Sequence, residues 1–190
     1  METMMISEIT KEKLWMLATA ILLIILAVFI YLYFVNTPTS KKIIGQPVPA
    51  FSAPKLYHPY TPFTESSLDH NVDLMIFWNS SCQACMEQHD LLMYIASTQL
   101  VTLYGIDFQD HSDSAKAYLK KHGNPFHDIA VDSEGHIGLL VNLHSVPEVF
   151  VVDKNNVIRD KIAGPISPTI WFDRLIPEIN RLSQEKSHKN

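Results

Sequence analysis

Two features of the sequence predict an α/β fold with one apolar helix in front of it. Segments with strand and helix character alternate in the order β-α-β-α-β-β-α after residue 70. This order indicates parallel crossover units, one antiparallel hairpin and a closing helix. Ahead of them, an uncharged apolar run extends over Leu14–Val35. We therefore expect a central mixed β-sheet flanked by helices, preceded by one N-terminal transmembrane helix.

Composition narrows the classes of function. The chain has 190 residues, which allows one ordinary domain plus an anchor. Its formal net charge is −5 and it has no basic cluster, so the electrostatic footprint of a nucleic-acid binder is missing. Its two cysteines are spaced as C-x-x-C. A disulfide between them would close a loop too short to restrict the unfolded chain much. A chemical role for the two cysteines is therefore favoured over a structural one.

The run Leu14–Val35 predicts a membrane anchor. About 20 apolar residues span the roughly 30 Å hydrocarbon core of a bilayer, and Trp15, Tyr31 and Tyr33 stand near the ends of the run, where interfacial aromatic residues belong. The apolar region of a cleaved signal peptide is shorter, roughly 7–15 residues, and ends at a small-x-small site, which is absent here. Lysines flank both ends, so charge alone does not set the orientation. The dithiol favours an exported domain, because disulfides form outside the cytosol.

The elements of the exported part follow from hydrophobic period and turn chemistry. A tail is expected at 1–13, a linker at 36–45, one domain at 46–184 and a polar tail at 185–190. Prolines between 47 and 62 allow at most edge strands. The expected strands are Asp73–Trp78, Leu100–Ile106 and Ile129–Val131, followed by a hairpin of Glu148–Val152 and Val157–Ile162. Helices are expected after Cys82, from Ser112 or Asp113 to His122, and from Ser167 onward.

Cys82 and Cys85 are the candidate reactive residues. Cys82 lies four residues after Trp78, at the turn from the first central strand into a helix, and reactive groups in α/β sheets sit at that end of a strand. A cysteine at a helix N-terminus faces unpaired backbone N–H groups and the positive end of the helix dipole, and both stabilise its thiolate. Cys82 is therefore the expected nucleophile, and Cys85 is expected to resolve the mixed disulfide by attacking Cys82.

Other uses of a C-x-x-C pair fit the sequence less well. His89 completes a C-x-x-C-x-x-x-H pattern, but a structural zinc site needs four ligands and there is no second cysteine pair. Covalent haem attachment requires histidine directly after the second cysteine, where this chain has Met86. A pair of inert core cysteines is the third alternative. His89, His111 and His144 receive no catalytic role, because each fits a helix face or a loop.

An ordered set of motifs resembles the thioredoxin superfamily, and within it the DsbE/CcmG-type thiol:disulfide interchange proteins of cytochrome c biogenesis. The resemblance covers about Ile43–Leu182. Its motifs are IGQPVPAF from Ile44, IFWNSSCQAC from Ile76, LKKHGNPF from Leu119, and VPEVF from Val146. It implies a thioredoxin-like fold and a redox-active disulfide between Cys82 and Cys85, with no further cofactor and no metal. It also implies a cis peptide bond before Pro147, with the backbone of Val146 presented to the substrate.

The resemblance implies a function as well: a periplasmic reductase, held in the bacterial inner membrane, that keeps the C-x-x-C-H cysteines of apocytochrome c reduced. Its electrons would come from a transmembrane donor of the DsbD or CcdA type. Ordinary thioredoxins carry a buried aspartate at the position of Ile76. Our hypothesis is that Glu148 substitutes for it, with a raised pKa that lets it accept the proton of Cys85. A solvated glutamate at the end of a strand is the alternative.

This sequence departs from the family pattern at three positions around the dithiol. Ser81 replaces the usual tryptophan before the first cysteine, Gln83 replaces the usual proline after it, and Gln88 stands where the family has an acidic residue. Two other redox roles therefore remain open, a general reductase for exported proteins and an oxidant. A non-redox binding module for unfolded apocytochrome peptides is an alternative of another class. A peroxidase is disfavoured, because Trp78 occupies the position of its usual threonine.

Overall fold

A computed structural model describes residues 15–29, 43–68 and 71–185. The chain divides into two compact units, Met1–Lys41 and Lys42–Asn190. Residues 15–29 of the first unit are helical, and their apolar side chains are exposed, including Trp15 at 74% and Phe29 at 70%. Leu14 and residues 30–35 of the expected anchor lie outside the described residues. Where the chain is described, no helix combines the length and the apolar character needed to cross a membrane.

The second unit is built on a five-stranded mixed sheet. Its strands are β3 (Asp73–Trp78), β4 (Thr102–Phe108), β5 (Asp128–Asp132), β6 (Glu148–Val152) and β7 (Ile158–Ala163), in the order β5-β4-β3-β6-β7. Strands β3, β4 and β5 are parallel, whereas β6 and β7 are antiparallel to their neighbours. A separate two-stranded hairpin consists of β1 (Ser52–Pro54) and β2 (Pro62–Thr64). The predicted mixed sheet is thus confirmed.

Helices cover the sheet on both faces. They are α1 (Gln83–Glu87), α2 (His89–Thr98), α3 (Ser112–His122), α4 (His136–Leu140) and α5 (Ile176–Gln184), which follows a π-helical segment, Ile170–Leu175. Every residue of β3 is buried, as expected of a central strand covered on both sides. The sequence does not predict α4, because a five-residue helix is too short to show a helical period.

The core consists of two clusters, one on each face of the sheet. One cluster contains Leu74, Ile76 and Trp78 from β3 and Val149 and Val151 from β6, and Cys85 belongs to it. We call this side the dithiol face; α2, α3 and α5 also pack on it. The other cluster contains Met75, Phe77, Phe150 and Val152, with residues of the β1–β2 hairpin and α4. Because side chains alternate along a strand, these memberships assign each strand residue to a face.

Candidate active site

The dithiol lies at the start of a helix beyond the end of the central strand. Cys82 is the N-cap residue of α1 and is half-buried, whereas Cys85 is buried at 5% exposure. The two are joined by a disulfide, with their Cα atoms 5.2 Å apart. The Cys82 sulfur is therefore the more accessible of the two and is the one that can react with another protein. Cys85 can react with Cys82 inside the same chain.

Backbone donors surround the Cys82 sulfur. The N–H of Cys85 donates to Cys82 Sγ at 3.0 Å, and the carbonyl oxygen of Cys82 accepts from the N–H groups of Cys85 and Met86, both at 3.1 Å. A sulfur that accepts a backbone N–H at the start of a helix is stabilised as a thiolate once the disulfide is reduced. The local geometry thus supports the nucleophile role that the sequence assigns to Cys82.

The side chains of Asp110 and Asn79 hold the turn before the dithiol. The N–H of Ser80 donates to Asp110 Oδ2 at 2.6 Å, and Asn79 Oδ1 accepts from both the N–H and the hydroxyl of Ser81, at 3.2 and 3.0 Å. Ser81 is exposed and places a small hydroxyl beside Cys82, where the related family carries a tryptophan. The turn is therefore fixed by its polar residues in the absence of that aromatic ring.

A second segment meets the same edge of the sheet. The Val146–Pro147 peptide bond is cis, the geometry that the resemblance implies. Phe77 pairs with Glu148 in the antiparallel register, so the end of β3 and the residues just before β6 lie side by side. The carbonyl oxygen of Pro147 accepts from the N–H of Gly164 at 2.9 Å. Among the described residues, no backbone–backbone hydrogen bond involves Val146, which is half-buried.

Glu148 does not lie where the sequence analysis expects it. It is 1% exposed, and along β6 it alternates with Val149, so its side chain belongs to the face of Phe150 and Val152, opposite to Cys85. Its carboxylate is 3.1 Å from Lys161 Nζ. We therefore correct the hypothesis that Glu148 takes the proton of Cys85: as the first residue of the strand, it points to the other side of the sheet.

Asp107 is a buried acid that the sequence analysis misses. It is fully buried and is the register partner of Trp78 on the neighbouring parallel strand. Alternation from Leu103 and Gly105 puts its side chain on the dithiol face. Neither of its carboxylate oxygens has a hydrogen-bond partner among the described residues. Burial, and then repulsion from Asp110, raise the pKa of Asp107 to about 7. Its place directly after a predicted strand, at the reactive edge of the sheet, is the signal that could have identified it.

Gln88 and His89 are two buried polar residues that directly follow α1, the helix that begins at the dithiol. Gln88 is 2% exposed, and its Oε1 accepts from the N–H of Ile166 at 2.8 Å. Its Nε2 has no hydrogen-bond partner among the described residues. His89 packs edge-on against Tyr118, and burial lowers its pKa. Gln88 therefore presents a neutral amide at the position where the resemblance implies an acid, and burial disfavours the charged form of His89.

The described residues contain no cluster of three or more histidine, cysteine, aspartate or glutamate side chains that could hold a metal ion. Cys82 and Cys85 are bonded to each other. The chemistry that this arrangement supports without further groups is thiol–disulfide exchange, which needs one accessible sulfur and one resolving sulfur.

Comparison with known proteins gives a consistent result. The family model described as Redoxin matches residues 43–175. The chain is 32% identical over 170 residues to the probable thiol:disulfide interchange protein DsbE-2 of Pasteurella multocida, covering 87% of this chain and 89% of that protein. It is 31% identical over 177 residues to the thiol:disulfide interchange protein DsbE of Pseudomonas aeruginosa, covering 92% of this chain and 97% of that protein.

Solved structures show the same fold. A secreted thiol-disulfide isomerase from Corynebacterium glutamicum superposes with a TM-score of 0.61 at 18% identity, covering 76% of this chain and 96% of that chain. A secreted Mycobacterium tuberculosis disulfide oxidoreductase described as homologous to DsbE of E. coli gives 0.58 at 20% identity, covering 70% and 96%. The architecture of residues 43–185 is therefore thioredoxin-like.

Proposed function

The chain belongs to the Redoxin family and, within the thioredoxin superfamily, to the DsbE/CcmG-type thiol:disulfide interchange proteins, and from this premise we propose that it reduces the haem-attachment cysteines of apocytochrome c. It is a thiol–disulfide oxidoreductase. The observation that carries the proposal is that a half-buried Cys82 and Val146, which makes no backbone–backbone hydrogen bond among the described residues, lie at the same edge of the sheet. An extended chain could bind along Val146 while its own sulfur meets Cys82.

The reaction proceeds by two exchanges. The thiolate of reduced Cys82 attacks one sulfur of the substrate disulfide, and the other substrate sulfur leaves as a thiolate. Cys85 then loses its proton and attacks Cys82, which releases the second substrate sulfur. Two electrons pass to the substrate, its two sulfurs gain protons, and Cys82 and Cys85 end as the disulfide seen in the structure. A transmembrane dithiol donor of the DsbD or CcdA type would restore the reduced form.

Membrane anchoring is part of the proposal. The uncharged run Leu14–Val35 supports it, and so do the helical conformation and exposed apolar side chains of residues 15–29. We propose a single span in the bacterial inner membrane, with the redox domain facing the periplasm, where disulfides form. A unique cysteine introduced at exposed Glu134 in the Cys82→Ser, Cys85→Ser background tests the orientation. Labelling of intact cells by a membrane-impermeant maleimide is expected, and protection until lysis would contradict it.

Peptide reduction tests the catalytic proposal. The pre-reduced full-length protein in detergent is mixed with an oxidised peptide that contains C-x-x-C-H, and the released peptide thiols are counted. We expect stoichiometric reduction by the native chain and none by Cys82→Ser. Glu134→Gln, a change at an exposed position, serves as the matched control. No release of thiols by the native chain would contradict the proposal.

A cellular assay separates the binding-module alternative. The Cys82→Ala, Cys85→Ala double variant is expressed in a bacterium that lacks its own protein of this type, and covalent haem in cytochrome c is measured. We expect no maturation with the double variant and full maturation with the native chain. Maturation by the double variant would mean that the dithiol is secondary and that binding is the function.

A further inference from the structure

A buried ion pair lies next to the segment that precedes the cis proline. Glu148 is 1% exposed, and the side chain of its partner Lys161, on the edge strand β7, is 14% exposed. Their charged atoms are 3.1 Å apart, and the Lys161 ammonium also sits 5.1 Å from the centre of the Phe150 ring. Both charges are largely removed from water, so each depends on the other for compensation.

The pair makes three polar contacts with two residues of the preceding segment, residues 142–146. Lys161 Nζ donates to the carbonyl oxygen of Asn142 at 2.7 Å, and Glu148 Oε2 accepts from the N–H of His144 at 3.3 Å. Lys161 Nζ also lies 3.2 Å from His144 Nδ1. Asn142 has a φ of 55°, a left-handed conformation that asparagine adopts more readily than most residues other than glycine. The pair therefore ties the segment to β6 and β7 two residues before Val146.

The location of the pair separates it from the dithiol chemistry. Glu148 and Lys161 lie on the sheet face of Phe150, whereas Cys85 belongs to the opposite cluster. A change in the pair can move the segment before Pro147 without placing or removing a charge beside the sulfurs. Its effect on a protein substrate and its effect on a small disulfide should therefore differ.

We propose that the Glu148–Lys161 pair is a latch that holds residues 142–146 so that the Val146 backbone can receive the extended substrate. Both are positioning residues that set how tightly the protein substrate binds; neither touches the reacting sulfurs. The latch rests on the proposed function, because it assigns Val146 to the substrate-binding edge of that same site.

Substrate kinetics with the full-length protein provide the first test. Lys161→Met keeps much of the aliphatic stem and removes the ammonium, so the segment loses its hydrogen bond at the Asn142 carbonyl and Glu148 loses its counter-charge. For the oxidised C-x-x-C-H peptide we expect KM to rise on the order of tenfold, as misplaced binding groups cause, with kcat within about twofold. The rate with glutathione disulfide, which is too small to need the segment, should stay within about twofold of the native rate.

Two further variants show whether the residues act as a pair. Lys161→Arg keeps the charge and should restore the native KM. The Glu148→Gln, Lys161→Met double variant should be no worse than Lys161→Met alone, because one interaction is lost in both. Asp160→Asn is the matched control: it removes the neighbouring pair on the same strand, in which Asp160 Oδ1 lies 2.8 Å from Arg174, and should leave KM unchanged. An unchanged KM in Lys161→Met, or an equal loss with both substrates, would overturn the latch.

Hydrogen exchange tests the latch without any substrate. The N–H of His144 donates to Glu148, and Lys161 both pairs with Glu148 and holds the Asn142 carbonyl. Lys161→Met leaves Glu148 without its counter-charge and frees that carbonyl, so the exchange of the His144 N–H should speed up on the order of tenfold or more as the segment opens. The N–H of Gln109, which donates to Asp132 on another part of the sheet, should keep its native rate. An unchanged His144 rate would refute the latch even if the peptide proves to be no substrate. If the His144 N–H exchanges faster in Lys161→Met but the native chain does not reduce the peptide, the latch stands as a structural element and the proposed function is wrong.

Discussion

Replacing Asp107 by asparagine should stabilise the protein at neutral and alkaline pH. The side chain is fully buried, and its carboxylate oxygens have no hydrogen-bond partner among the described residues. Burial and the nearby Asp110 raise its pKa from 3.8 to about 7. Asparagine has nearly the same shape and carries no charge, so the substitution removes the cost of ionising this position in the folded state.

The magnitude follows from the difference between the two pKa values of Asp107. Below about pH 4 the carboxyl is protonated in both the folded and unfolded chains, so Asp107→Asn should change little. Between about pH 4 and 7 the unfolded chain ionises first, so the native protein loses stability as pH rises. The loss levels off above about 7, at an upper limit of about 4 kcal/mol from 1.36 kcal/mol per pKa unit. Local relaxation reduces the gain from asparagine to about 2–4 kcal/mol at pH 8.

Urea unfolding of the unit Lys42–Asn190, followed by circular dichroism at pH 4, 6 and 8, measures this difference. We expect the gap between Asp107→Asn and the native sequence to be small at pH 4 and largest at pH 8. Glu134→Gln, which removes a carboxylate from an exposed position, should show no comparable gap. A gap that is the same at all three pH values, or a variant that is less stable at pH 8, would refute the reasoning about Asp107.

Three further predictions concern the dithiol, the core and the domain boundary. Cys85→Ser should trap a covalent complex with the oxidised peptide on a non-reducing gel, and its absence would contradict the resolving role. Gly105→Ala should cost about 1–3 kcal/mol by overpacking, because an added Cβ would lie 3.0 Å from Trp78 Nε1 and 3.1 Å from Phe126; an unchanged melting temperature would contradict this. The unit Lys42–Asn190 should unfold cooperatively on its own, and a broad, non-cooperative transition would show that it needs the remainder of the chain.

The parts of the fold that the sequence predicts are those with a strong period. The continuous apolar run Asp73–Trp78 matches β3, and the turn residues after Val152 mark the β6–β7 hairpin. The second central strand lies two residues later than expected, at Thr102–Phe108. An apolar run predicts the existence of a strand more reliably than its first residue. The dithiol position at the start of a helix follows from the same strand-to-helix reading.

The residues that sequence reasoning misplaces are those whose environment depends on the other strands. Glu148 follows Pro147 directly, and only the pairing of β6 with β3 and β7 shows that its side chain faces Lys161 and not Cys85. Asp107 is a single acid at the end of an apolar run, and only its register beside the buried Trp78 places it on the covered dithiol face. A shift of one residue in strand register would move the side chains of Glu148 and Asp107 to the opposite faces of the sheet. The sequence alone does not specify the register to one residue.

The midpoint reduction potential of the Cys82–Cys85 pair tests the central claim most directly. The full-length protein is equilibrated in glutathione buffers of graded composition, and its free thiols are counted by alkylation at each step. A midpoint near or below roughly −200 mV, in the range of reducing dithiol proteins, is the predicted result for an electron donor to apocytochrome c. A midpoint near about −120 mV would identify a strong oxidant and would contradict the proposed reductase.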